Sequence, residues 1–136
     1  MAEGQIYKIH SDFLHVIKNA LENTSYPLSE TYDFQQGIHI AQKHKISALF
    51  YYGLINSGVS AGDPKIQSLF NNTCRDVVTN ERQKYELSQI TAAFEEHKIE
   101  YMLLKGAELK ALYPKPEMRP MGDIDILIKT VQYRQI

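Results

Sequence analysis

The stretch MLLKGAELKALYPKPEMRPMGDIDILI, residues 102–128, decides how this chain is read. It joins an apolar run to Lys105-Gly106, crosses a segment with prolines at 114, 116 and 120, and ends on Asp123-Ile124-Asp125 before branched apolar residues. IEYMLLK, residues 99–105, reads as a short buried strand. Gly106 then opens a short helix, AELKALY. The prolines enforce a non-helical connection, because each lacks an N–H and restricts the residue before it. DIDILIK, residues 123–129, reads as a second strand with branched residues inside it. Side chains alternate along a strand, so Asp123 and Asp125 are expected to face one way and Ile124 and Ile126 the other.

Two carboxylates side by side repel, and a divalent cation between them removes the repulsion. Mg²⁺ suits oxygen ligands, keeps several waters, and is commonly held by one or two carboxylates plus substrate phosphates. Two such ions can clamp the attacking and leaving oxygens of a phosphoryl or nucleotidyl transfer. The bland alternative is that Asp123 caps the strand and Asp125 is simply exposed. Lys105-Gly106 tilts the balance, because it ends one strand and opens a helix. Helix N-termini offer N–H groups and partial positive charge that suit phosphate. Gly106 permits close backbone approach, and Lys105 adds a point charge. Alone this pair is no more than a turn glycine beside a solvated lysine; its weight comes from sharing a unit with Asp123 and Asp125.

At these residues the chain resembles the nucleotidyltransferase superfamily, which includes DNA polymerase beta and the antibiotic nucleotidyltransferases. It is more closely similar to the bacterial uncharacterised nucleotidyltransferase family. Members of that family carry a comparable Lys-Gly, Leu-Tyr-Pro, Arg-Pro-Met and Asp-Ile-Asp run after a helical N-terminal region. Here those motifs are Lys105-Gly106, Leu112-Tyr113-Pro114, Arg119-Pro120-Met121 and Asp123-Ile124-Asp125. The likeness is specific over residues 102–128 and one of helical texture before them.

The resemblance implies that Asp123 and Asp125 are catalytic and hold Mg²⁺, as one ion or two. It implies that Gly106 contacts the nucleotide phosphates, with Lys105 and Arg119 as phosphate or active-site partners. The substrate would be a nucleoside triphosphate, and its monophosphate would pass to an acceptor that the sequence does not identify. Arg119 also has a plainer reading, as a loop residue paired with Glu117 or another surface acid. Three departures weigh the other way. Ala107 replaces the superfamily's serine after the glycine, and the gap from Gly106 to Asp123 is longer than in many members. The third carboxylate that the superfamily places on a later strand would fall beyond Ile136, so the unit reads as cut short after the Asp-x-Asp strand. The alternative is therefore a truncated or degenerate relative that binds nucleotide or protein without catalysis. A third reading is a helical interaction module with a docking tail.

The rest of the chain reads as helical. Ser11-Asp12 looks like a helix start, with Phe13, Leu14, Ile17, Ala20 and Leu21 behind it and a stop before Asn23. A second helix is expected from about Asp33 to Lys45. A third covers Ser47 to Gly58, with Ser47 as its cap and Gly58 at its end. Asp63-Pro64 opens a helical pattern that runs to His97. The polar stretch Thr79–Lys84 interrupts its apolar stripe, which means one helix with a phase change or two with a break near Asn80. Thr130 looks like a cap for a further helix, VQYRQI. The expected fold is a mostly helical α+β protein. A helical region, 1–97, packs on a partial palm-like strand-helix-strand unit, 98–136, covers it and helps to shape the acceptor pocket. Two strands and one helix make a poor domain, so that unit must pack on the helical region, pair with another copy, or continue in a longer chain.

Composition excludes several classes. The 136 residues suit one ordinary domain, and 43% hydrophobic with 23% charged residues is a globular balance. A net charge of -1 gives no basis for a broad nucleic-acid surface. The single cysteine, Cys74, allows no internal disulfide and is expected to be a small buried residue. No signal peptide is evident, and no apolar run approaches the roughly 20 residues of a membrane span. A cytoplasmic protein is expected. The five histidines, 10, 15, 39, 44 and 97, show no metal-ligand spacing. Phe50, Tyr51, Tyr52 and Leu54 read as core and half-exposed helix face rather than a base-stacking platform.

Overall fold

The chain is a mostly helical α+β protein, seen in a computed structural model that describes residues 3–129. Its helices are α1 (Glu3–Glu22), α2 (Phe34–Lys43), α3 (Ser47–Asn56), α4 (Gln67–Glu96) and the single-turn α5 (Gly106–Leu109). Two strands, β1 (Tyr101–Leu103) and β2 (Ile126–Ile128), pair antiparallel with Met102 opposite Leu127. Short 3-10 turns cover Pro64–Ile66, Lys110–Leu112 and Pro116–Met118. The expected helix at 130–136 lies outside the described residues. No helix among the described residues is long and apolar enough to cross a membrane. The chain divides into two compact units, Met1–Asp76 and Val77–Ile136, with the boundary inside α4.

The first unit holds a continuous apolar core of Val16, Ile38, Ala41, Phe50, Tyr51, Leu54, Ile66 and Leu69. Phe50 and Leu54 are fully buried, so the aromatic run at 50–54 is mainly core. Phe13 stacks on Phe50 with ring centroids 4.9 Å apart. Helices α1 and α3 approach closely enough that a Cβ at Gly53 would overlap the Val16 carbonyl. Asn19, fully buried, fastens the same helices. Its amide donates to the Tyr26 carbonyl and to Ser57 Oγ, both at 2.8 Å, while its Oδ1 accepts from Tyr26 N and Thr24 Oγ1. A buried amide with all these bonds made specifies one loop geometry.

Helix ends follow local chemistry. Asp33 caps α2 by accepting from Gln36 N at 3.0 Å, and Asp63 accepts from Lys65 N at 2.9 Å ahead of α4. Gly58, at φ 93°, ends α3, with Val59 N bonded to Leu54 O. Lysines do the same for α2 and α4. Lys45 and Lys98 take φ of 56° and 55°, and Ile46 N and Ile99 N reach back to Ala41 O and Phe94 O.

Four local expectations are corrected. Helix α1 starts at Glu3, not at Ser11-Asp12, because nothing in the residues just before Ser11 breaks a helix and serine and aspartate are tolerated inside one. Instead, Asp12 accepts from Ser29 Oγ at 2.9 Å. Ser47 does not cap α3. Ile46, already placed by the turn that ends α2, takes the cap position, and no side chain bonds there. Cys74 is exposed, because each helical step rotates by about 100° and Thr73 takes the buried side. The strands are shorter than expected, and β1 is not buried throughout, since Met102 is 59% exposed. Helix α4, by contrast, is continuous through Asn80.

Candidate active site

The second unit brings the Lys-Gly turn and Asp125 together. The β1–β2 ladder continues one bonded step beyond the strands, with Leu104 N donating to Asp125 O at 3.0 Å. That pairing sets Asp125 beside the turn at Lys105. The Lys105 ammonium lies 3.1 Å from Asp125 Oδ2. Both groups reach solvent, with side chains 74% and 44% exposed. Asp123 does not belong to the strand. It sits in a bend ahead of Ile126, exposed, so the strict alternation expected across 123–129 starts only near Asp125. Gly122 and the preceding proline segment favour a turn there over extended pairing.

Lys105 has a backbone of φ 50° and ψ −114°, a region that glycine enters far more readily than lysine. It precedes α5, whose Leu109 N bonds to Lys105 O at 2.9 Å. The close approach at Gly106 is made by protein: a Cβ there would meet Met121 Cγ and Sδ at 2.8 Å. Gly106 thus seats the loop that leads to Asp123, which the sequence alone did not indicate.

Met121 is in turn held from α4. Gln83 Nε2 donates to the Met121 carbonyl at 2.7 Å. Gln83 Oε1 and Asn80 Oδ1 accept from the Lys110 ammonium at 3.3 and 2.8 Å. Asn80, Gln83 and Lys110 are all buried. The polar interruption of α4 is therefore an anchor for residues 110–122. The signal was present in the sequence as polar residues inside an apolar stripe, but its partner was not. A cavity of about 320 Å³ adjoins this network, lined by Asn80, Gln83, Leu87, Ala107, Lys110 and Met121 among others. Arg119 is half-buried, and its Nε is buried without a hydrogen-bond partner.

The donor set suits a hard, partly hydrated cation. Asp125 already accepts a positive charge in the Lys105 ammonium, and Asp123 is open to solvent. Among the described residues, no group of three or more His, Cys, Asp or Glu side chains forms. Asp123 and Asp125 are both solvent-accessible oxygen donors, the ligand type that Mg²⁺ takes alongside waters and phosphate oxygens.

No curated protein and no solved structure matches the chain. A family model described as uncharacterised nucleotidyltransferase matches residues 30–136, which include every residue of the site. The motifs that carry the resemblance thus lie inside a match spanning most of the sequence, and the chain belongs to the uncharacterised nucleotidyltransferase family.

Proposed function

We propose that the chain carries a metal-dependent site for nucleotidyl transfer. An acceptor oxygen would attack the α-phosphorus of a nucleoside triphosphate, forming one P–O bond as the bond to pyrophosphate breaks. The observation that carries the reading is the Lys105–Asp125 contact of 3.1 Å, which sets the Lys-Gly turn against the second aspartate of the Asp-x-Asp run. Asp123 and Asp125 would hold Mg²⁺, which when bound offsets negative charge on the phosphates. Lys105 presents an ammonium suited to phosphate oxygens, and Gly106 keeps the turn compact. Arg119 would supply a second cation to the polyphosphate, a role that rests on the family's Arg-Pro-Met run.

A second reading, nucleotide or protein binding without turnover, is favoured by Ala107, which offers no hydroxyl. Calorimetry of ATP binding with and without Mg²⁺, on the wild type and Asp125→Ala, tests the site that both nucleotide-binding readings share. Binding that requires Mg²⁺ and weakens at least about tenfold in Asp125→Ala, a loss of about 1.4 kcal/mol, supports the metal site. Equal binding by both proteins removes Asp125 from it. Pyrophosphate release from ATP with candidate acceptors then separates transfer from binding alone.

A further inference from the structure

We infer that Lys105 is a resident counter-ion of Asp125 that competes with a divalent cation for its carboxylate. The inference rests on the metal-binding reading of Asp125 given above and adds a competitor to it. The Lys105 ammonium, 3.1 Å from Oδ2, stands where the carboxylate would meet a cation. The ammonium, with three donors and no acceptor of its own, takes up part of the space around that oxygen. Cation and ammonium also repel. Occupation of Asp125 by one therefore opposes the other.

The backbone fixes where this ammonium starts. Lys105 holds a left-handed conformation that glycine would adopt with less strain. It is bracketed by two main-chain bonds, Leu104 N to Asp125 O and Leu109 N to Lys105 O. The stem is thereby anchored beside Asp125, while the four-carbon chain beyond it is flexible and mostly in solvent. Exchange of partner needs no repacking. Once displaced, the ammonium is available to a phosphate oxygen, and a phosphate that takes it removes the metal's competitor. Metal and nucleotide binding are then reciprocally coupled through one side chain.

The test is Mn²⁺ binding without nucleotide, read as free Mn²⁺ by electron paramagnetic resonance, on the full chain. Lys105→Met and Lys105→Gly should each bind Mn²⁺ about two- to fivefold tighter than wild type, the scale of an exposed ion pair. The glycine variant also relaxes the backbone, so agreement between the two assigns the effect to the ammonium. Lys129→Met is the charge control. Lys129 pairs with Glu100 at 2.8 Å, and lies about 13 Å along the strand from Asp125 at 3.3 Å per residue. It should leave affinity nearly unchanged. If the Lys105 variants gain no more than Lys129→Met while Asp125→Ala still weakens binding, the counter-ion role is wrong and the metal site stands. If wild type and Asp125→Ala bind Mn²⁺ alike, the metal site fails and the inference with it.

Discussion

Tyr32 carries its hydroxyl into the first unit without a hydrogen-bond partner. Burial, reinforced by the Asp12 and Asp33 carboxylates, pushes the phenol's pKa above its ordinary value of about 10. The phenol therefore stays neutral in the fold to higher pH than in the unfolded chain. Its contribution is fully present below about pH 10 and is lost as pH rises beyond that, because only the unfolded state releases the proton readily. Tyr32→Phe removes an unsatisfied hydroxyl and keeps the ring that meets Phe34 edge-on at 5.0 Å. Urea unfolding at neutral pH should show a gain of about 1 kcal/mol. Repeated above pH 10, it should show a shallower loss of stability with pH than in wild type. Some slope will persist, since burial also raises the Tyr51 pKa. A variant less stable than wild type at neutral pH would mean that the hydroxyl is satisfied in solution.

Helix α4 bears on the site through Gln83 as an element, not as a reagent. Its amide holds the Met121 carbonyl, and its oxygen receives Lys110. Gln83→Leu leaves a carbonyl without its donor and a buried ammonium short of one acceptor. The expected cost is about 1–3 kcal/mol, read as a lower midpoint in chemical denaturation. Weaker nucleotide binding should accompany it, because residues 121–122 lead directly into Asp123. An unchanged midpoint would show that the loop holds its place without α4. The same element shows what could be read beforehand. The helix was legible from the Asp63-Pro64 start and a long apolar period, and the aspartate pair and Lys-Gly turn were legible as short local patterns. The Gln83–Met121 bond spans 38 residues, and nothing in either local sequence specifies it. Helix stops divide the same way. Gly58 announces its left-handed turn, whereas Lys45, Lys98 and Lys105 adopt positive φ because packing and main-chain bonds impose it. Strand length was overread at 123–125 because the apolar pattern has no means of showing where ladder partners end.

At the scale of the whole molecule, stability should be uneven. The continuous cluster of buried apolar side chains lies within the first unit. Among the described residues of the second, the buried apolar side chains are Ile99 and Met118, alongside the polar Asn80, Gln83 and Lys110. Met102 and Leu127, paired across the sheet, are 59% and 55% exposed, and Leu112 and Tyr85 are also exposed. Apolar burial is the main favourable contribution to folding, so the second unit has less to hold it closed. Native-state hydrogen exchange should therefore find the Phe50 amide, bonded to Ile46 O in the buried core, opening only with global unfolding. The Leu104 and Lys129 amides, bonded to Asp125 O and Glu100 O across the sheet, should exchange through a smaller opening at least about tenfold more often, a difference of about 1.4 kcal/mol. Binding at Asp125 should then act selectively. A ligand held only by the closed form stabilises it by about 2.7 kcal/mol at a hundred times its Kd. Mg²⁺ with ATP should slow exchange at Leu104 while leaving Phe50 nearly unchanged. Equal protection at all three amides without ligand would show that the two units open together. Slowing at Phe50 as large as that at Leu104 would place the ligand's influence on the whole chain and not on the Asp125 turn.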